Sequence, residues 1–126
     1  MVEIFKTLAD QNRLRILNLL LHYELCVCEL EVVLNLTQSN TSRHLGKLRQ
    51  INLLSDNKDA QWVHYRYNES FDSENVLLIQ YIKEQYLKES LYAEDLQRCR
   101  KYVESSYDCQ DIKADQQKVS DYLFNR

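Results

Sequence analysis

The chain has 126 residues, 44% of them apolar and 28% charged, with a formal net charge of −3, no proline and a single glycine, Gly46. That length fits one domain able to bury a core, and the near-absence of glycine and proline excludes collagen-like chains, flexible linkers and turn-rich all-β designs in favour of long helices. No apolar run approaches the roughly 20 residues needed to cross a bilayer and no basic-then-apolar leader opens the sequence, so the protein is expected to be cytoplasmic with its four cysteines as reduced thiols.

Charge is unevenly placed. Residues 1–34 carry a balance of −2 and residues 69–126 a balance of −4, whereas residues 35–68 carry +3, with Arg43, Lys47, Arg49, Lys58 and Arg66 against Asp56 and Asp59. One basic segment in an acidic chain is an electrostatic footprint for a polyanion.

In chain order, Val2, Ile4, Phe5 and Leu8 predict a short first helix. Asp10 can cap a second that runs to about Tyr23 and buries Leu14, Leu17, Leu20 and Leu21. A third helix is predicted over 26–34, with Val27, Leu30 and Val33 or Leu34 inward. Asn35-Leu36 is a turn, and Thr37 caps a fourth helix that ends near Gln50. Residues 53–55 and 61–67 read as strands, the second alternating and rich in β-formers, with the turn at 56–60.

Helix returns from about Asp72. Val76, Leu77, Leu78, Ile79, Tyr81 and Ile82 make that segment apolar almost all round, so it needs cover on more than one side. A second copy of the chain is the natural second cover for this segment. A further helix is predicted from Tyr92 to Val103. Domain organisation is therefore expected as 1–107 for the folded unit and 108–126 for a polar, frayed C-terminal tail with a weak apolar cluster at Tyr122, Leu123 and Phe124.

Two short helices at 26–34 and 37–50 followed by a hairpin describe a winged helix-turn-helix, a mainly α fold with a small β-hairpin. On the fourth helix Thr41, Leu45, Leu48 and Ile51 form the anchoring stripe, while no carboxylate occurs from 37 through 50. Gln38, Ser39, Asn40, Thr41, Arg43, His44 and Lys47 are the candidate DNA contacts on this helix, joined by Lys58 at the hairpin tip and Arg66 near the strand end. Amide side chains suit adenine edges and Arg suits guanine, while Arg43, Lys47 and Arg49 suit phosphates. Gly46 inside this helix costs roughly 0.5–1 kcal/mol relative to alanine, which close backbone approach to a helix or to DNA would explain, as would drift at an exposed site. His22, His44 and His64 are scattered and read as surface residues. One glycine allows no phosphate-binding loop and no Cys/His/Asp arrangement has supporting spacing, so an enzyme is not expected.

Leu8-Ala9-Asp10-Gln11-Asn12-Arg13-Leu14-Arg15-Ile16-Leu17, Glu24-Leu25-Cys26-Val27-Cys28-Glu29-Leu30, Leu36-Thr37-Gln38-Ser39-Asn40-Thr41-Ser42-Arg43-His44-Leu45 and Val63-His64-Tyr65-Arg66 together resemble the arsenic-responsive (ArsR/SmtB) repressors, over about residues 4–90. The resemblance implies a winged-helix repressor that dimerises through the first helix and the helix after the hairpin, so a homodimer through residues 2–8 and 72–90 is expected, and that leaves its operator when a toxic metal or metalloid binds, with no cofactor in the DNA-bound state. It also implies that Cys26 and Cys28 are the sensing pair, since soft thiolates suit As(III) or Sb(III), and also Cd(II) or Pb(II). Residues i and i+2 of a helix do not face each other, so a shared ion is expected to require the helix start to bend.

Three departures bear on the inducer. The arsenic-type motif often has a third cysteine where this chain has Glu31, so a third sulfur would come from Cys99, Cys109 or an external thiol. The cadmium/lead type draws on an N-terminal arm, which is not expected with the first helix opening at once. The zinc type uses Asp and His on the helix after the hairpin, and residues 70–105 contain no histidine. Cys99 and Cys109 are ten positions apart, roughly 15 Å by helical rise, and could share an ion only if the helix ends between them. Two other functions stay open here: a DNA-binding repressor that senses thiol oxidation, and a helical interaction module without DNA binding, against which the carboxylate-free face of 37–50 argues.

Overall fold

The computed structural model describes residues 1–126. Helices α1 (Val2–Leu8) and α2 (Gln11–Leu20) are separated by Asp10, whose extended backbone interrupts the helix and whose carboxylate accepts the Arg13 N–H at 3.1 Å. That satisfies one of the free donors at the start of α2. Ile16, Leu17 and Leu19 on α2 are wholly buried, each contributing ~1.5–3 kcal/mol on removal from water.

Strand β1 (Leu25–Cys26) leads into α3 (Val27–Leu34), which ends at Asn35 in the left-handed region (φ 55). Asparagine tolerates that conformation better than most residues. Thr37 then caps α4 (Gln38–Gln50), accepting the Asn40 N–H at 3.3 Å. α4 lies on α2 and α3 through Thr41, Leu45 and Leu48, all at 0% exposure.

Strands β2 (Leu54–Asp59) and β3 (Trp62–Tyr67) form the wing, in a three-stranded antiparallel sheet of order β1-β3-β2. The hairpin is tighter than the sequence predicts. β2 runs through the expected 56–60 turn, Asp59 faces Trp62, and only Ala60-Gln61 turn the chain, Ala60 at φ 55. Lys58 therefore sits opposite Val63 within the strand and not at the tip. β1, too short to carry a periodicity, pairs Leu25 with Tyr65 and Cys26 with His64.

Helix α5 (Ser70–Tyr86) is interrupted at Asn75 (φ −137, ψ 32), whose amide donates to the Phe71 carbonyl at 3.2 Å. Ile79, Ile82 and Tyr86 are buried in the chain's own core, whereas Val76, Leu77 and Tyr81 are 54%, 77% and 60% exposed. Met1, Val2 and Phe5 on the α1 end are likewise bare. The apolar girdle of α5 is thus half covered within one chain.

Helix α6 (Ser90–Glu104) is fixed by Asp95, a carboxylate at 0% exposure that accepts two hydrogen bonds from Arg15 (2.8 and 2.9 Å) and one from Arg98 (2.6 Å). Arg98 also donates to the Val33 carbonyl at 2.6 Å. This paired buried charge ties α2, α3 and α6 together.

Residues 108–126 are not a frayed tail. They form α7 (Cys109–Ala114) and α8 (Gln116–Leu123), which bury Cys109, Ile112, Val119 and Leu123 against α3 and α6. Asp108 and Asp115 cap the two helices. Four apolar residues spread over fifteen positions of polar sequence were too sparse to register as an amphipathic pattern, but two short capped helices bring them to one face. No helix is long and apolar enough to cross a membrane.

Candidate functional site

The outer face of α4 presents Gln38, Ser39, Asn40, Arg43 and Lys47 to solvent, and α4 bears no acidic side chain. Arg43 donates to Asn40 Oδ1 at 3.3 Å, aligning both side chains near the helix start. Lys58 and Arg66 are exposed on the wing, Arg66 donating to Ser55 Oγ at 3.3 Å. Arg49, in contrast, is paired with Asp56 of β2 at 3.1 Å, which links the end of α4 to the wing. A Cβ on Gly46 would meet nothing within 4 Å, so no packing inside the chain demands glycine there.

Two candidate contacts are corrected by the structure. Thr41 is wholly buried, its hydroxyl donating to the Thr37 carbonyl at 2.8 Å, so it belongs to the anchor. His44, expected on the surface, is 2% exposed and its Nδ1 accepts from Arg13 Nε at 3.2 Å. Burial first, then the nearby Arg43 and Arg13 charges, lower its pKa against the opposing pull of Asp10. The three-to-four-residue spacing to Thr41 and Leu48 is the signal that would have placed His44 at the edge of the buried stripe and not on the surface.

The second constellation is sulfur. Cys26 is the residue before α3, with an extended backbone (φ −91, ψ 171), and its N–H donates to Glu29 Oε1 at 3.0 Å. Because Cys26 stands outside the helix, its sulfur folds back over the first turn to lie 3.1 Å from Cys28 Sγ. The expected bending of the helix start is therefore unnecessary; the helix begins after the first thiol. Cys109, first residue of α7, places its Sγ 2.6 Å from Cys26 Sγ, and all three sulfurs lie within 4.8 Å of one another. Cys26 and Cys109 are buried and Cys28 is half-buried.

The three thiols share their protons unequally. A hydrogen bond from Cys28, helped by one from Cys109, lowers the Cys26 pKa against burial. The same Cys28–Cys26 bond and burial push Cys28 up, and burial first pushes Cys109 up to about 12. Cys26 is thus the sulfur on which a first negative charge settles. Cys99 lies wholly buried on α6, pushed up to about 12 by burial, and takes no part in the cluster. α6 does end between Cys99 and Cys109, but the break carries Cys109 towards α3 and away from Cys99.

A sulfur-only donor set selects soft, thiophilic ions over hard ones. At a thiolate bond length of ~2.3 Å two sulfurs on one ion stand at most about 4.6 Å apart, and both contacts of Cys26, 3.1 Å to Cys28 and 2.6 Å to Cys109, lie inside that reach. The sequence left Glu29 and Tyr102 unnoticed: Tyr102 Oη donates to Glu29 Oε2 at 2.5 Å while Glu29 holds the Cys26 amide, a chain from α6 to the first thiol. Its one sequence trace is the acidic residue three positions after the helix cap.

An exposed basic helix in a helix-turn-helix with a wing beside it is the architecture of the winged-helix transcriptional regulators. Residues 10–56 match the family model of the bacterial regulatory proteins, arsR family, and the chain belongs to that family. Over 66 residues it is 50% identical to the arsenical resistance operon repressor of Escherichia coli K12, covering 52% of this chain and 56% of that one. The chain thus spans little more than half the length of that curated relative. The solved structure of HlyU from Vibrio cholerae N16961 superposes with a TM-score of 0.55 at 37% identity, covering 64% of this chain and 88% of HlyU. A homodimeric winged helix-turn-helix DNA-binding domain from Mycobacterium bovis shares the fold at 23% identity and a TM-score of 0.58, covering 68% and 80% of the two chains.

Proposed function

We propose that this chain is a homodimeric operator-binding repressor that releases DNA when Cys26 and Cys28 take up trivalent arsenic or antimony. The observation that carries this reading is the thiol pair at the start of α3, the helix packed directly on α4. Cys26 also belongs to β1, hydrogen-bonded to wing strand β3. An ion gripping Cys26 and Cys28 therefore acts on both DNA-facing elements through rigid neighbours. The DNA contacts are Gln38, Ser39, Asn40, Arg43 and Lys47 on α4, with Lys58 and Arg66 on the wing against phosphates. Bare Val2 and Phe5 on α1, and Val76, Leu77 and Tyr81 on α5, supply an apolar surface for the second subunit. An arsenical resistance operon repressor among its relatives is in keeping with the repressor and inducer parts of the reading.

The test is anisotropy of a labelled duplex from the chain's own promoter region. Arsenite should release the wild-type protein, and the Cys26→Ser/Cys28→Ser protein should bind equally well yet stay bound. Release of the double mutant at the wild-type arsenite concentration would remove the pair from the sensor. Cadmium and lead titrations separate the related inducers. The close Cys26–Cys109 contact favours one rival, oxidation of the same thiols, and a peroxide titration under which DNA is released without arsenite would favour it instead.

A further inference from the structure

Cys109 does not reach Cys26 by chance of a loose end. Eighty-three positions separate the two residues, and the sulfur is delivered by an anchored unit. The α7 start is fixed by a reciprocal cap, Asp108 Oδ1 accepting the Asp111 N–H at 3.0 Å and Asp111 Oδ2 the Asp108 N–H at 2.8 Å. Ile112 of α7 and Val119 and Leu123 of α8 are buried, both helices packing on α3. On the far side Lys101 of α6 donates to the Tyr122 carbonyl at 2.7 Å, and the Arg98 guanidinium lies 4.3 Å from the centre of the Phe124 ring. Cys109 thus enters a packed, water-poor corner beside the two thiols of α3.

We infer that α7–α8 is a C-terminal clamp whose Cys109 supplies the third thiolate, so that the site is a three-sulfur pocket for trivalent pyramidal ions such as arsenite. The inference rests on the Cys26–Cys28 reading and adds the coordination number and the element that sets it. Binding is pure ligand exchange: three As–O bonds of As(OH)3 break, three As–S bonds form, three thiol protons leave with the hydroxides as three waters, and nothing is oxidised or reduced. Two thiols alone would leave one As–O bond in place. A third donor held at high effective concentration raises affinity without any new encounter.

The test uses the full chain in thiol-free buffer with two probes. Arsenite needs three sulfurs for full exchange, whereas phenylarsine oxide offers only two positions and takes two thiols with loss of one water. X-ray absorption should count three sulfur neighbours on arsenic in the wild type and two in Cys109→Ser. The arsenite needed for half-release of DNA should rise roughly 100-fold in Cys109→Ser, the scale of a lost intramolecular contact, while the phenylarsine response stays unchanged. Cys99→Ser should behave as wild type in both. Operator affinity without arsenic checks that Cys109→Ser is folded. Should it not be, iodoacetamide labelling of the wild type decides, with arsenite protecting Cys109 together with Cys26 and Cys28. Three sulfurs in Cys109→Ser, an unchanged arsenite response, or unprotected Cys109 would overturn the clamp and leave the pair standing. A wild-type response in Cys26→Ser/Cys28→Ser to both probes would overturn the pair reading as well.

Discussion

The division of the basic residues between free and paired makes a sharp electrostatic expectation. Arg43, Lys47, Lys58 and Arg66 are exposed, whereas Arg49 has Asp56 beside it at 3.1 Å. An exposed pair is worth at most ~1 kcal/mol and does not hold Arg49 rigidly. What it does is set a carboxylate next to the guanidinium, so this spot presents no net positive charge to DNA. Four free cations per protomer, eight in a dimer, give a slope of log affinity against log salt near −7, at about 0.9 per phosphate neutralised. Lys47→Ala removes two of the eight and should make the slope shallower by about 1.8. Arg49→Ala should change it little, and Asp56→Ala, which frees Arg49 in both subunits, should steepen it by up to about 1.8. The assay is anisotropy of a labelled operator duplex over about 50–300 mM KCl, the range in which counterion release is read. A flattening by Arg49→Ala as large as that by Lys47→Ala would refute the assignment.

Other expectations follow from burial. Leu77→Glu, on the bare side of α5, should give a folded monomer by sedimentation, whereas Ile79→Ala, in the chain's own core, should cost ~2–5 kcal/mol in denaturant unfolding; a Leu77→Glu dimer would move the interface elsewhere. Asp95→Ala strands the Arg15 and Arg98 guanidiniums and should cost ~3–5 kcal/mol, and a loss near zero would show the network to be dispensable. His44 has its pKa lowered by burial. Above the ordinary histidine range both states are neutral; as pH falls through it the unfolded chain takes up the proton first, so stability declines down to the folded pKa and then levels. Part of the acid destabilisation between about pH 6.5 and that lower point should vanish in His44→Gln, and an unaltered pH profile would show that His44 is not buried neutral.

Much of the fold was legible because it is written locally. Asp10, Thr37 and Asn35 mark helix boundaries through side-chain chemistry, and the Leu45–Leu48 stripe and the alternation of 62–67 carry their periods openly. What escaped depends on long-range placement. β1 is two residues that become a strand only by pairing with β3. α7 and α8 have too few apolar residues to announce themselves and are held by α3 and α6. His44 carries a polar label but occupies a buried edge beside Arg13. The sulfur site was half readable: Cys26 and Cys28 stand two positions apart in sequence, while the choice between Cys99 and Cys109 needed the chain path after α6. The spacing argument for a bent helix start failed on a single residue, since Cys26 is the cap and not the first helical position.

The coupling of the sulfur site to the DNA face is tested most directly by closing the thermodynamic cycle. Arsenite affinity is measured calorimetrically for the free protein and for the protein saturated with operator, and operator affinity is measured with and without arsenite. Linkage requires both ratios to be the same, and coupling of ~1–3 kcal/mol corresponds to about 5- to 150-fold. Equal ratios in that range, abolished in Cys26→Ser/Cys28→Ser, are the expected result. Arsenite that binds free and DNA-bound protein with the same affinity would contradict the proposal, because a ligand indifferent to the two states cannot drive release.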